Sequence, residues 1–155
     1  MTLRLAVVGV GAVGRSVVEL APEYGHVVTA VADSRSSAVD SDGLDAEAVF
    51  DRKEREGVVG DGDPDDALAA EYDVLVEATP TTLGDAEPGF SHVRAALERD
   101  RHVVLANKGP VAERYADLRA LEAESAGTVQ FEATVGGAIP ILSTIADFGP
   151  NQITA

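Results

Sequence analysis

The chain has 155 residues, about one domain's length, and its 45% hydrophobic and 25% charged residues are the composition of a globular protein with a core to bury. A formal net charge of −15 leaves no basic face to neutralise phosphates, which argues against nucleic-acid binding. No run of about 18 apolar residues offers a membrane span, no basic segment followed by an apolar core marks a secretory signal, and the absence of cysteine excludes disulfides, thiolate zinc sites and a cysteine nucleophile. The expected setting is cytoplasmic, with no membrane partner. Only two lysines occur, Lys53 and Lys108, beside ten arginines and 27 acids. Such a balance suggests adaptation to high salt, where screening removes the self-repulsion of the surface. It also makes any lysine inside a motif worth inspecting.

The first element is an apolar, β-branched run containing Leu3, Leu5, Val7 and Val8. It leads into Gly9-Val10-Gly11-Ala12-Val13-Gly14 and then into a helical pattern through Arg15, Val18, Glu19 and Ala21. Strand, glycine turn and helix in this order form the dinucleotide-binding fingerprint. Gly9 permits the tight turn, Gly11 lets the backbone reach a pyrophosphate, and Gly14 lets the helix pack close on the strand. The free N–H groups and positive dipole at the helix start would hold the phosphates.

His26 to Ala32 reads as a second strand, ending at Asp33, nineteen residues past Gly14. A carboxylate there accepts the adenosine ribose hydroxyls. Asp33 alone favours NAD, whereas Arg35 with Ser34 and Ser36 could hold a 2′-phosphate and so accept NADP. The choice stays open. From Val39 to Asp66 the chain is polar and acidic, with a helical stretch near Asp45 to Glu56. Asp61, Asp63, Asp65 and Asp66 lack the spacing and terminal glutamate of an EF-hand, so a solvated loop is expected there.

Tyr72 to Thr79 is a third strand closed by Pro80. Pro88 to Arg99 fits a helix with Val93, Ala96 and Leu97 on its inner face and His92 on the exposed side. His102 to Ala106 is a further strand, ending at Asn107-Lys108-Gly109-Pro110. Val111 to Ala126 reads as one helix ended by Gly127. Thr128 to Ala133 is the last strand, followed by Gly136-Gly137 and a short helix from Pro140 to about Phe148. Alternating strands and helices with short links predict a single α/β domain over residues 1–155, a Rossmann-type, doubly wound parallel sheet.

Three loops then leave the carboxyl ends of strands: Ala78 to Thr81, Ala106 to Pro110, and Glu132 to Pro140. In this architecture they converge on the nicotinamide end of a dinucleotide laid over Gly9 to Gly14. The cofactor carries the hard step of a hydride transfer, so the protein supplies positioning and charge. A cation beside the reacting oxygen stabilises a developing alkoxide, and Lys108 is the residue of that type in that place.

The motifs GVGAVG, EATPT, ANKGPVA and EATVGGAIPIL, in this order and spacing, resemble the nucleotide-binding half of homoserine dehydrogenase, and ADSRSSAVDSDGLD resembles that family's segment after its second strand. The resemblance runs over essentially the whole chain. It implies an NAD(P)-dependent oxidoreductase of amino-acid biosynthesis (threonine and methionine) that interconverts L-homoserine and L-aspartate 4-semialdehyde. Gly9 to Gly14 would bind pyrophosphate, Asp33, Ser34 and Arg35 the adenosine ribose, and Thr79 and Pro80 the nicotinamide ribose. Lys108 would be the family lysine between cofactor and substrate. The glycine-rich stretch resembles the loop that holds a monovalent cation, sodium, through Glu132, Val135, Gly137 and Ile139. Family members continue into a substrate and dimerisation domain carrying a second lysine, so a homodimer is implied for the full-length form and turnover by these 155 residues alone is not expected. Two readings remain beside it: a free-standing dinucleotide-binding module or redox sensor, and a dehydrogenase of another amino acid.

Overall fold

The structure, a computed structural model, describes residues 1–135 and 141–143. Six strands form one sheet: β1 (Arg4–Val8), β2 (Val27–Ala32), β3 (Ser37–Val39), β4 (Val74–Glu77), β5 (His102–Leu105) and β6 (Val129–Gln130). The helices are α1 (Ala12–Leu20), α2 (Ala46–Glu56), α3 (Pro64–Ala69), α4 (Gly89–Leu97), α5 (Gly109–Glu113) and α6 (Tyr115–Ala123). The strand order is β3-β2-β1-β4-β5-β6. β1 is therefore central, which is why Leu5, Ala6, Val7 and Val8 are all buried and read as a continuous apolar run. Val7 joins a core with Val18, Val31 and Phe50 on one face, while Ala6 joins Phe90, Leu97 and Leu118 on the other.

After β1 the chain builds β2 and β3 to one side, then crosses back to lay β4, β5 and β6 on the other. The direction reverses between β1 and β4, and open α/β sheets bind ligands in the crevice at that reversal. The register keeps its rim level: Val8 pairs with Glu77 and Glu77 with Leu105. The loops after β1, β4 and β5 thus emerge side by side.

Four features differ from the sequence expectation. β3 is antiparallel to β2 and forms the edge, so the sheet is parallel except for that strand. Three residues are too few to show a period. The acidic run expected as loop contains α3. Asp63 accepts from the N–H of Asp65 at 3.0 Å, while Asp66 accepts the N–H of Asp63 at 2.9 Å, a reciprocal cap on a helix opened by Pro64. The expected helix from Val111 to Ala126 is two, separated at Arg114, whose guanidinium sits 4.1 Å from the Phe90 ring centroid. The last strand is shorter than expected, and Glu132–Thr134 is a 3₁₀ turn. The Gly136-Gly137 turn lies outside the described residues, as does most of the helix expected from Pro140 to Phe148, of which 141–143 are helical.

Candidate dinucleotide-binding site

Each glycine of the first turn meets a different steric demand. Gly9 has φ +95°, and a Cβ there would stand 2.5 Å from the carbonyl of Ala78 and 2.6 Å from the nitrogen of Thr79. A Cβ on Gly14 would lie 1.8 Å from the carbonyl oxygen of Gly9, so α1 crosses β1 only with glycine at that position. A Cβ on Gly11 would meet nothing within 4 Å, and this open side is where a pyrophosphate needs room. No side chain caps the start of α1 and no acid occupies its first turn. Its N–H groups are left for an anion, so the turn fits a dinucleotide. Ala12 and Val13 are exposed on α1 and Val10 is half-buried beneath the turn.

At the end of β2, Asp33 folds its own loop. Oδ1 accepts the N–H groups of Arg35 at 2.7 Å and Ser36 at 2.9 Å, and Oδ2 accepts from Lys53 Nζ on α2. Burial pushes this carboxyl up, but the Lys53 ammonium and the two backbone donors outweigh it and hold the group below the ordinary carboxylate value. Ser34 and Arg35 are exposed at the rim. Ser36 is not available to a phosphate, because it is 3% exposed and its hydroxyl accepts the N–H of Val59 at 2.8 Å. The sequence reading of two phosphate-facing serines thus reduces to Ser34, and Lys53 enters a site it had not been assigned to. Its rarity in the composition was the available signal.

The loops after β4 and β5 are tied together by a buried polar network. Glu77 and Asn107 are 0% and 1% exposed. The Thr79 hydroxyl donates to Glu77 Oε1 and accepts from Asn107 Nδ2 at 3.1 Å. Asn107 Oδ1 accepts the N–H of Gly109 at 2.9 Å, and the N–H of Lys108 donates to Thr81 Oγ1 at 3.2 Å. A Cβ on Gly109 would stand 2.3 Å from the carbonyl oxygen of Thr82, so glycine is required where α5 begins. Thr79 is half-buried, and Pro80 and Lys108 are exposed, which leaves their side chains on the crevice rim. His92, expected on the outer side of its helix, instead turns inward with Nδ1 3.3 Å from Glu77 Oε1.

Of the third loop, Glu132 and Val135 are described, while Gly137 and Ile139 lie outside the described residues. Glu132 is engaged already: its carboxylate accepts the N–H groups of Leu142 at 2.7 Å and Ser143 at 3.1 Å. Among the described residues no three acids, histidines or cysteines cluster as metal ligands.

A glycine turn with an uncapped helix, a carboxylate at the end of β2 and a polar rim across the sheet reversal define an NAD(P)-binding α/β domain of the dehydrogenase class. The Glutamate/Leucine/Phenylalanine/Valine dehydrogenase model matches residues 2–83. The homoserine dehydrogenase of Methanocaldococcus jannaschii is 33% identical, over 90% of this chain and 46% of its own. The NAD(+)-dependent homoserine dehydrogenase of Pseudomonas canavaninivorans is 32% identical, over 90% and 45%. Homoserine dehydrogenase from Thermoplasma acidophilum superimposes with a TM-score of 0.80 at 28% identity, over 96% of this chain and 48% of that one. The chain belongs to the Glutamate/Leucine/Phenylalanine/Valine dehydrogenase family by the first match, and its resemblance to the nucleotide-binding half of homoserine dehydrogenase holds over nine-tenths of its length. It spans about half the length of the curated relatives it matches.

Proposed function

We propose that the chain is the cofactor-binding part of an enzyme that interconverts L-homoserine and L-aspartate 4-semialdehyde by hydride transfer. The observation that carries this reading is the pairing of the glycine turn with the Glu77–Thr79–Asn107–Lys108 rim. The family model ends at Leu83, so it covers the dinucleotide half common to many dehydrogenases. The homoserine dehydrogenase relatives continue through Lys108 and beyond, and this favours homoserine over another amino acid.

NAD(P) supplies the hydride acceptor and donor when bound. Gly9 to Gly14 receive its pyrophosphate, and Asp33, Ser34 and Arg35 face its adenosine ribose. Both oxygens of Asp33 already have donors. Arg35 and Lys53 therefore present two positive charges against one, and this favours a 2′-phosphate and NADP(H). Thr79 and Pro80 line the nicotinamide ribose. Lys108, its backbone pinned by Thr81, holds its ammonium beside the substrate oxygen and stabilises the alkoxide as it forms. A sodium ion at the Glu132, Val135, Gly137 and Ile139 loop, a cytoplasmic homodimer at the relatives' length, and a surface adapted to high salt complete the reading.

The test is a chimera joining this chain to the unmatched half of the M. jannaschii relative. Lys108→Ala in it should cut kcat on homoserine by orders of magnitude while NADP+ affinity changes little. Unchanged turnover would refute the assignment of Lys108. Saturable NADP+ binding with no homoserine oxidation by the unmutated chimera would favour a binding module instead.

A further inference from the structure

Glu77 has no part in the hydride step, yet its carboxylate lies buried directly beneath Thr79. Oε1 accepts from the Thr79 hydroxyl and from the Thr79 N–H at 3.3 Å, with His92 Nδ1 also 3.3 Å away. Oε2 is buried without a hydrogen-bond partner among the described residues. Donors converge on Oε1, as they do on an ionised carboxylate. The start of α4 faces it as well: a Cβ on Gly89 would stand 3.3 Å from Oε2. A helix N-terminus favours a negative charge there. Among the described residues no lysine or arginine pairs with Glu77. The groups around His92 are Glu77 from β4, Glu87 ahead of α4, Asp65 from α3, and Glu98 and Arg99 at the far end of α4, the last four lining the groove on its outer side.

We propose that Glu77 determines which oxidation state of the cofactor the site prefers. The oxidised nicotinamide ring carries a positive charge and the reduced ring is neutral, whereas the rest of the dinucleotide is the same in both. A group that feels the ring's charge therefore separates the two forms. A buried anion at the end of β4, beside the peptide that Gly9 touches, favours the oxidised form, and at partly buried separations the effect is on the order of tenfold in affinity.

The inference rests on the cofactor reading above, and titration calorimetry of the chain separates the two. Glu77→Gln keeps the shape and an acceptor for Thr79. At pH 8 it should weaken NADP+ about tenfold and leave NADPH nearly unchanged, whereas a residue that only packs the loops would move both together. An unchanged ratio of the two affinities overturns the proposal. Should Glu77→Gln fail to fold by circular dichroism, the unmutated chain decides. It should bind NADP+ about tenfold more tightly than NADPH at pH 8, and equal affinities overturn the proposal. If the unmutated chain binds neither form of NADP nor of NAD, the cofactor reading itself fails, and the proposal with it.

Discussion

Lys53 reaches Asp33 from twenty residues further along the chain, and the contact decides what the end of β2 can bind. The carboxylate's position was legible, since its distance from Gly14 is set by one helix and one strand. Its partner was not, because the angle at which α2 packs has no signature in a string of residues. Lys53→Met should weaken NADP+ by about tenfold or more and leave NAD+ nearly unaffected, as read by calorimetry. Equal loss for both would place Lys53 in a purely structural role. Asp33 also ties stability to acid. Its folded-state value is depressed, so its contribution is fully present above the ordinary carboxylate range and is lost as pH falls through the lower folded value. Thermal melts should show the gap between the unmutated chain and Asp33→Asn narrowing between pH 7 and pH 3. His92 shows the reverse case, a residue placed by periodicity on the outside and turned inward by Glu77.

Among the elements, β1, its glycine turn and α1 were the most legible, because the close packing of α1 on β1 at Gly14 is a local constraint, whereas the contact of Gly9 with Ala78 and Thr79 comes from the sheet. Gly14→Ala tests that locality, since its Cβ would meet the Gly9 carbonyl oxygen at 1.8 Å, and a backbone atom cannot swing aside. The variant should lose at least about 2 kcal/mol in denaturant unfolding, toward the upper end of overpacking costs. α3 is the instructive miss. Its acids looked like solvated loop, yet Asp63-Pro64-Asp65-Asp66 carries the N-terminal signature of a capped helix, with Ala67 fully buried behind it. Asp63→Ala should cost about 1 kcal/mol in the same measurement, mostly through the cap. The separation of α5 from α6 at Arg114 had no such signal; there the guanidinium lies over the ring of Phe90 on another helix.

For the molecule as a whole, composition foretold the charge and alternation foretold the sheet, while the site depended on the reversal between β1 and β4. That reversal brings Gly9 against Ala78 and Thr79 and sets Asn107 and Lys108 beside them. The net charge of −15 predicts that added salt stabilises the chain, because screening relieves repulsion among 27 acids. The melting temperature should rise between 0.05 and 1 M sodium chloride, on the order of several degrees, and a flat or falling curve would remove the case for a salt-adapted surface. The central claim is that one dinucleotide lies along a single track from Asp33 over Gly9 to Gly14 and on to Thr79. Amide chemical shifts of the ¹⁵N-labelled chain during titration with NADP+ test it most directly. Saturable shifts concentrated at residues 9–14, 33–35, 77–81 and 107–109 are expected. Shifts confined to another face of the sheet, or none at saturating NADP+ and NAD+, would contradict it.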